Sequence, residues 1–298
     1  MTFKEKWLEA VERKNSVLCA GLDPADFEMG RGDEGIPEGT NKLTWAEKYM
    51  KAVSPFCAAV KPNVQYWKGF NDSQALEYIA ACAHDLGMAV IRDDKLADIG
   101  ETNDAGMFYV AKSGADAVTF SPFAGNMKEA AEQGRKNNLG VIAMCLMSNP
   151  DYAKEKNKLV DVRDWAAYFD ADDIIEVPGT DCDGIPHVRQ YVHLAWQARE
   201  YGIDSIVIGA PSKKNHIKEE EIERARRYAG DEMLVLLPGV GAQGGEANAI
   251  WKYFAPENVI VNVGRAMMFP NGSKSTPNDQ AAAAKHYMEM LNSLRKAA

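Results

Sequence analysis

Eight short apolar segments, mostly followed by longer amphipathic stretches, constrain the fold of this chain more than any other feature of its sequence. The segments end at or next to Gly, Pro, Asp or Asn, and they lie at 17–23, 57–63, 89–95, 117–121, 140–147, 205–210, 234–240 and 259–264. Nearly continuous apolar runs are typical of parallel strands that are buried on both faces. Alternating strands and helices therefore predict an α/β fold, a closed (β/α)8 TIM barrel, with an open doubly wound sheet as the alternative.

Two intervals between these segments are longer than the others. Residues 24–44 are rich in Gly and acidic residues and precede an expected helix at 45–53, so they predict a surface excursion. Residues 150–203 are too long for one crossover and predict an insertion that ends in the covering helix. The run DIIEVPG within it resembles a ninth barrel strand. We expect one barrel domain over 1–298 that carries both additions.

Charge and cysteine content exclude several classes of protein. The formal net charge is −9 and the 34 basic residues are scattered, which argues against a surface that binds nucleic acid or membranes. The five cysteines form no CxxC pair and are too few for a fold built on disulfides, so reduced thiols are expected. The amphipathic start is unlike a signal peptide, and no run reaches the roughly 20 apolar residues that cross a bilayer. These features predict a cytoplasmic protein.

Polar side chains gather where the predicted strands end, which is where barrel enzymes build their sites. In IRDDKLADIGETN, strand alternation places Asp93 and Lys95 on one face and Asp94 on the other. Asp98 lies beyond the strand, free to reach a neighbouring subunit. With Lys61 from the adjacent strand, the site becomes an array of two ammonium groups and two carboxylates. A purely structural ion-pair network is the alternative, but burying such charges costs several kcal/mol per ion.

A second constellation is LLPGVGAQGG followed by VNVGRAMMF. Its glycines, Gly239, Gly241, Gly244 and Gly245, let the backbone approach a ligand closely. Arg265 adds a permanent charge with a planar set of donors. Phosphate binding after the last two strands is a recurrent feature of barrels, so this segment predicts a phosphate site.

Six motifs in this order resemble the orotidine 5′-phosphate decarboxylase family. They are GLDP at 21–24, AVKPN at 59–63, DxKxxDI at 93–99, MSNP at 147–150, PGVGAQGG at 238–245 and VGR at 263–265. DxKxxD alone is shared with related sugar-phosphate enzymes, but the combination is highly specific. The resemblance implies a TIM barrel that decarboxylates orotidine 5′-monophosphate to uridine 5′-monophosphate and CO2 in pyrimidine synthesis, with no metal or organic cofactor.

The resemblance also implies roles for matching residues. Lys95 protonates C6, Asp93 lies beside the departing carboxylate, and Lys61 connects Asp93 to the ribose hydroxyls. Asp98 completes the array from the partner subunit of a homodimer, together with two substrate-binding residues of that subunit, Ile99 and Thr102. The remaining substrate-binding residues are Asp23 for ribose, Ser148 for the pyrimidine edge, Gln243, Gly264 and Arg265 for phosphate, and Pro238.

Three other functions fit part of this sequence. A Mg²⁺-dependent sugar-phosphate synthase or decarboxylase shares DxKxxD, but Lys61 stands where such an enzyme needs another oxygen ligand. A Schiff-base aldolase is disfavoured because nearby carboxylates keep the lysines protonated. A barrel that only binds a nucleotide is disfavoured because every charged position is filled. The chain departs from the family at Asp94, after Ala210, and in the length of 150–203.

Overall fold

The computed structural model describes residues 1–69, 71–179, 184–213, 215–241 and 247–297. Over these ranges the strands are β1 (Leu18–Leu22), β2 (Ala59–Pro62), β3 (Ala89–Leu96), β4 (Ala117–Phe120), β5 (Gly140–Leu146), β6 (Leu159–Asp161), β7 (Ile175–Pro178), β8 (Gly184–Arg189), β9 (Ser205–Ile208), β10 (Leu234–Pro238), β11 (Val259–Val263) and β12 (Pro270–Ser273). The α-helices over the same ranges are α1 (Phe3–Lys14), α2 (Lys42–Val53), α3 (Asp72–Asp85), α4 (Gly100–Lys112), α5 (Met127–Lys136), α6 (Tyr152–Glu155), α7 (Gln190–Tyr201), α8 (Glu219–Ala229), α9 (Arg265–Met268) and α10 (Pro277–Ala297).

Eight parallel strands of the described chain close into a barrel in the order β1-β11-β10-β9-β5-β4-β3-β2. Seven of the strands lie within predicted segments, and β3 extends one residue beyond its segment. The closed barrel is therefore confirmed and the open doubly wound sheet is wrong. The first strand closes the ring, because Leu18 pairs with Val261 of β11 and Cys19 pairs with Ala59 of β2. All residues of β1, β2, β4 and β9 are buried, as expected for strands covered on both faces.

Helix α1 packs against the barrel through the apolar residues that the sequence places at helical spacing. Phe3, Trp7, Ala10 and Val11 are buried, and the Trp7 indole N–H donates to the Glu257 carbonyl at 2.7 Å. Burial of this face, with the Thr2–Glu5 capping box at its start, explains why the N-terminal segment forms a helix.

The excursion after β1 contains two short 3₁₀-helices, Phe27–Met29 and Gly32–Glu34. Helix α2 then begins earlier than the expected residue 45, because the Asn41 side chain caps it by accepting the Thr44 N–H at 2.9 Å. Lys42 connects the excursion to α3, because it forms ion pairs with Asp26 at 3.0 Å and with Asp72 at 3.1 Å.

The long interval between β5 and β9 contains a separate three-stranded antiparallel sheet in the order β6-β8-β7. The run DIIEVPG forms β7 and pairs with β8, so it is not a barrel strand. Helix α7 follows and packs on the barrel. At the start of the interval, Lys156 is 3% exposed and bonds to Glu221 at the start of α8 at 2.6 Å. Among the described residues, no helix is both long and apolar enough to span a bilayer.

Candidate active site

A cavity of about 290 Å³ opens at the carboxyl ends of the barrel strands. It brings together eight of the predicted site residues, namely Asp23, Lys61, Asp93, Lys95, Ser148, Pro238, Gly264 and Arg265. The residues come from both ends of the chain because closure of the barrel places β1 and β11 side by side. The cavity therefore has one wall of charged residues from β2 and β3 and another from the segments after β10 and β11.

Asp93 lies between two ammonium groups. Its Oδ2 accepts a hydrogen bond from Lys61 Nζ, and its Oδ1 accepts one from Lys95 Nζ at 2.5 Å. The side chains of Lys61 and Asp93 are only 6% and 9% exposed, so these charges interact in a poorly solvated environment. Lys95 is more open, with 42% of its side chain exposed toward the cavity mouth. The arrangement supplies a fixed positive charge at the surface of the cavity.

The pKa values of Asp93 and Lys61 shift in opposite directions, that of Asp93 downward and that of Lys61 upward. Burial opposes ionisation of Asp93, but the charges of Lys61 and Lys95 outweigh it and lower the pKa of this carboxyl well below its usual range. Burial likewise opposes the charge on Lys61, but Asp93 and Asp23 outweigh it and raise the pKa of Lys61 above its usual value. Both groups are therefore ionised at neutral pH.

Asp94 faces away from the cavity. Arg92 binds it with two hydrogen bonds, from Nε to Oδ1 at 2.8 Å and from Nη2 to Oδ2 at 2.5 Å. Arg92 also donates to the Ser113 hydroxyl at 2.9 Å. The carboxylate between Asp93 and Lys95 is thus neutralised on the helix side of the strand and adds no charge to the cavity.

Asp23 follows β1 and faces the same charges. Its Oδ1 is buried and has no hydrogen-bond partner among the described residues. Burial raises the pKa of Asp23, and the charge of Lys61 opposes this effect. A buried acceptor without a partner costs roughly 1–3 kcal/mol, so this oxygen fits a site where a ligand supplies a donor.

Ser148 reaches the cavity because Gly209 leaves room for it. A Cβ on Gly209 would lie 2.5 Å from Ser148 Cβ and 2.9 Å from Ile217 Cδ1. The next residue, Asn149, accepts a hydrogen bond through its carbonyl from His216 at 3.0 Å. The segment after β5 is therefore held against the segment after β9.

The opposite wall is built around Gly264 and Arg265. Gly21 and Gly264 pack so closely that a Cβ on Gly21 would lie 2.8 Å from Gly264 Cα. Gly239, at φ +98°, occupies the left-handed region that favours glycine. The Arg265 side chain is 47% exposed, and its Nη1 bonds to Glu34 of the excursion at 2.6 Å. The predicted phosphate residue Gln243, with Gly244 and Gly245, lies outside the described residues.

Asp98, Ile99 and Thr102 are exposed and do not line the cavity of their own chain. The Asp98 carboxylate accepts only the neighbouring Ile99 N–H, at 2.9 Å, among the bonds of the described chain. The backbone carbonyl of Asp98 accepts a hydrogen bond from the Asn126 side-chain amide at 2.9 Å, which fixes the loop that follows β3. The structure therefore does not bring these three residues to the Lys61–Asp93–Lys95 group within one chain.

Comparison with known proteins agrees with the barrel and its motifs. The model of the orotidine 5′-phosphate decarboxylase / HUMPS family matches residues 16–274, which include all the predicted site residues. The chain belongs to this family. The resemblance inferred from the motifs is thus confirmed, and so is the expectation of an enzyme of the carboxy-lyase class.

Relatives of this family match the chain along nearly its whole length. The orotidine 5′-phosphate decarboxylase of Cupriavidus taiwanensis is 30% identical over 298 residues, covering 96% of this chain and 94% of the relative. That of Bordetella avium is 27% identical and covers 99% and 100%. Among solved structures, Leishmania donovani OMP decarboxylase has a TM-score of 0.73 at 21% identity, with both chains covered completely. The Methanocaldococcus jannaschii enzyme, in complex with the inhibitor BMP, has a TM-score of 0.61 at 23% identity and covers 92% and 98%.

Two contacts of the site were not predicted from the sequence. Thr119 of β4 bonds both Asp93 and Lys95, and Glu34 of the excursion bonds Arg265. A threonine within the apolar run AVTF was the available signal for the first, because a buried hydroxyl needs a partner. No local pattern signals the second, since Glu34 lies in a segment without strand or helix periodicity.

Proposed function

We propose that this chain decarboxylates orotidine 5′-monophosphate to uridine 5′-monophosphate and CO2 without a metal or organic cofactor. The observation that carries the proposal is the Asp93 carboxylate held between Lys61 and Lys95 at the mouth of the barrel. Membership of the family and the names of its relatives support the choice of reaction.

In this reaction the bond between C6 and the carboxylate breaks, and its electron pair remains on C6 in the plane of the ring. The pyrimidine π system cannot delocalise that pair, so an external positive charge has to stabilise it. Two unit charges about 4 Å apart attract by about 4 kcal/mol at an effective dielectric constant near 20. A Lys95 ammonium held at this distance from C6 therefore accelerates the reaction roughly a thousandfold. Lys95 then gives its proton to C6 and recovers one from solvent.

Asp93 acts on the substrate before the bond breaks. Its ionised carboxylate lies beside the substrate carboxylate, and like charges in a closed site disfavour the bound substrate relative to neutral CO2. Lys61 and Lys95 hold Asp93 in this position, so little reorganisation is needed during the reaction. Lys61 also reaches toward the ribose hydroxyls.

Other residues hold the rest of the nucleotide. The unpartnered Oδ1 of Asp23 accepts a ribose hydroxyl, and Ser148 binds the pyrimidine edge. Gly264 and Arg265 bind the phosphate together with Gln243, and Pro238 lines the wall between phosphate and base. The phosphate lies far from C6, so its binding energy serves to close the site around the charged groups.

A homodimer completes the array in this proposal. Asp98, Ile99 and Thr102 enter the partner's site, where Asp98 adds the second carboxylate. The support is that Ile99 is 60% exposed and that Phe123 is 91% exposed, in the loop whose Asn126 bonds the Asp98 carbonyl. Large apolar side chains that are exposed in this way are typical of protein interfaces.

The bonds of Asp93 favour this reaction over a Mg²⁺-dependent one. Both of its carboxylate oxygens already accept hydrogen bonds, from Lys61 on one side and from Lys95 and Thr119 on the other. A divalent cation prefers free oxygen ligands and would be repelled by two ammonium groups.

We also propose that the chain is cytoplasmic and forms one barrel domain, in which residues 150–203 are an insertion.

The test is the loss of orotidine 5′-monophosphate absorbance with purified protein in excess EDTA. We expect turnover by the wild type and its loss in Lys95→Ala, because the variant has neither the ammonium nor the proton. Lys154→Ala removes an exposed lysine outside the cavity and is the matched control. No turnover by the wild type, or turnover only after Mg²⁺ is added, would favour the sugar-phosphate enzymes instead.

A further inference from the structure

Thr119 is the polar residue of β4, a strand that is otherwise apolar. The strand reads AVTF, and Thr119 is 2% exposed while it contributes to the lining of the cavity. A buried hydroxyl is costly unless it is hydrogen-bonded, so its partners indicate what it does.

Both partners of Thr119 belong to the charged group on β3. Its hydroxyl donates to Asp93 Oδ1 at 2.9 Å and accepts the backbone N–H of Lys95 at 2.9 Å. One hydroxyl makes both bonds at once because it has one hydrogen and two lone pairs. Asp93 Oδ1 is also the oxygen that binds Lys95 Nζ at 2.5 Å. Thr119, Asp93 and Lys95 therefore form a closed ring of hydrogen bonds.

The backbone of Lys95 needs this support. Its φ is +53°, in the left-handed region that residues with a side chain rarely adopt. The pairing of β3 with β4 shifts register between Arg92 and Leu96, so regular strand pairing is interrupted around Lys95. The Thr119 hydroxyl accepts the hydrogen bond of the Lys95 N–H, which a backbone carbonyl of the neighbouring strand would accept in a regular sheet. Regular bonding resumes one step later, where Ser121 N–H donates to the Leu96 carbonyl at 2.7 Å.

We propose that Thr119 is a positioning residue that fixes the Lys95 ammonium against Asp93, by holding the Lys95 backbone and one oxygen of the Asp93 carboxylate. The inference rests on the proposed function for its kinetic consequence. It adds a side chain from a third strand to the residues that set the geometry of the reaction. Thr119 acts through Lys95 and Asp93, so its loss should affect the chemical step more than the binding of the nucleotide.

The experiment compares Thr119→Val, which keeps the shape and removes the hydroxyl, with Thr119→Ser, which keeps the hydroxyl. For the valine variant we expect kcat to fall roughly 10- to 100-fold, with KM and the equilibrium binding of uridine 5′-monophosphate nearly unchanged. The serine variant should recover most of the lost kcat. A role in stability alone would lower Tm without separating kcat from KM.

Ser113→Ala is the matched control. Ser113 is also buried, at 7% exposure, and its hydroxyl bonds Arg92 and the Val110 carbonyl outside the cavity. Its loss should lower Tm while kcat stays at the wild-type value. A valine variant with wild-type kcat, or a serine variant no more active than the valine variant, would overturn the assignment.

Crystal structures of the wild type and of both Thr119 variants separate this inference from the proposed function. If the wild type does not decarboxylate the nucleotide, the proposed function fails, but the geometry is still tested. Displacement of Lys95 from Asp93 in the valine variant, with the ion pair kept in the serine variant, would support the positioning role. An unchanged ion pair in the valine variant would contradict it.

Discussion

The two walls of the cavity differ in how firmly their charges are held. On the β2–β4 wall, Lys61, Asp93 and Thr119 are buried, and Asp93 bonds Lys61, Thr119 and the more exposed Lys95. On the β10–β11 wall, the charge of Arg265 is half exposed and meets the half-exposed Glu34. A buried network has one geometry, whereas an exposed ion pair exchanges partners at little cost. In the proposed function, the first wall stabilises the transition state and the second binds and releases the phosphate.

The largest effect should come from Asp93→Asn, which removes the carboxylate charge between Lys61 and Lys95. The substitution leaves Lys61 buried without its main counter-charge, and the free energy of unfolding should fall by on the order of 3 kcal/mol. Turnover should fall at least about a hundredfold, because Lys95 loses the group that orients it. Chemical denaturation and steady-state kinetics measure the two effects.

Asp94→Asn is the matched control for this change. The neighbouring carboxylate is equally buried, with 9% exposure, but it bonds Arg92 on the helix side. Its loss should lower stability and leave turnover close to that of the wild type. Equal losses of turnover in the two variants would show that stability, and not the charge in the cavity, limits the activity.

A smaller effect is expected from Arg265→Ala on the exposed wall. Loss of a charge-assisted bond to phosphate should lower kcat/KM roughly 10- to 100-fold while the stability of the fold is kept. Part of the loss should appear in kcat, because in the proposed function phosphate binding serves closure of the site. An effect confined to stability, with kcat/KM unchanged, would remove Arg265 from the phosphate site.

The smallest effect is expected from Glu34→Gln, which tests whether the ion pair on the exposed wall competes with the ligand. Neutralising Glu34 frees Arg265, so uridine 5′-monophosphate should bind about two- to five-fold more tightly in calorimetry. Asp33→Asn is the control, since Asp33 bonds Ser273 at 3.3 Å instead of Arg265. Weaker binding in the Glu34 variant would mean that Glu34 orients Arg265 for the phosphate.

The sequence predicts the barrel well because its signal is local. Strands buried on both faces have to be apolar along their length, so each barrel strand matches its predicted segment, and only β3 extends one residue beyond it. The sequence pattern predicts the start of α2 too late, because the residue that caps the helix, Asn41, lies within the irregular excursion. The strand at Ile175–Pro178 looks like a barrel strand locally, and only its antiparallel partner β8 places it in another sheet.

The site is predictable to the extent that it follows strand alternation. Asp93 and Lys95 are two residues apart, and the sequence alone suggests that they face the same side. The left-handed backbone of Lys95 and its bond to Thr119 depend on the register between β3 and β4, which no local pattern encodes. The contact between Glu34 and Arg265 joins segments from opposite ends of the chain, so it required the folded structure.

The close contact between Gly21 and Gly264 has a consequence for how the protein is made. These residues lie where the first barrel strand meets the last, so a ribosome has to synthesise almost the whole chain before the two can touch. A growing chain that has not yet reached residue 264 already contains Lys61, Asp93 and Lys95 but lacks Gly264 and Arg265. Nucleotide binding at this seam would therefore report that translation has passed the last strand, and stalled fragments would be inactive even with every charged residue of β2 and β3 present.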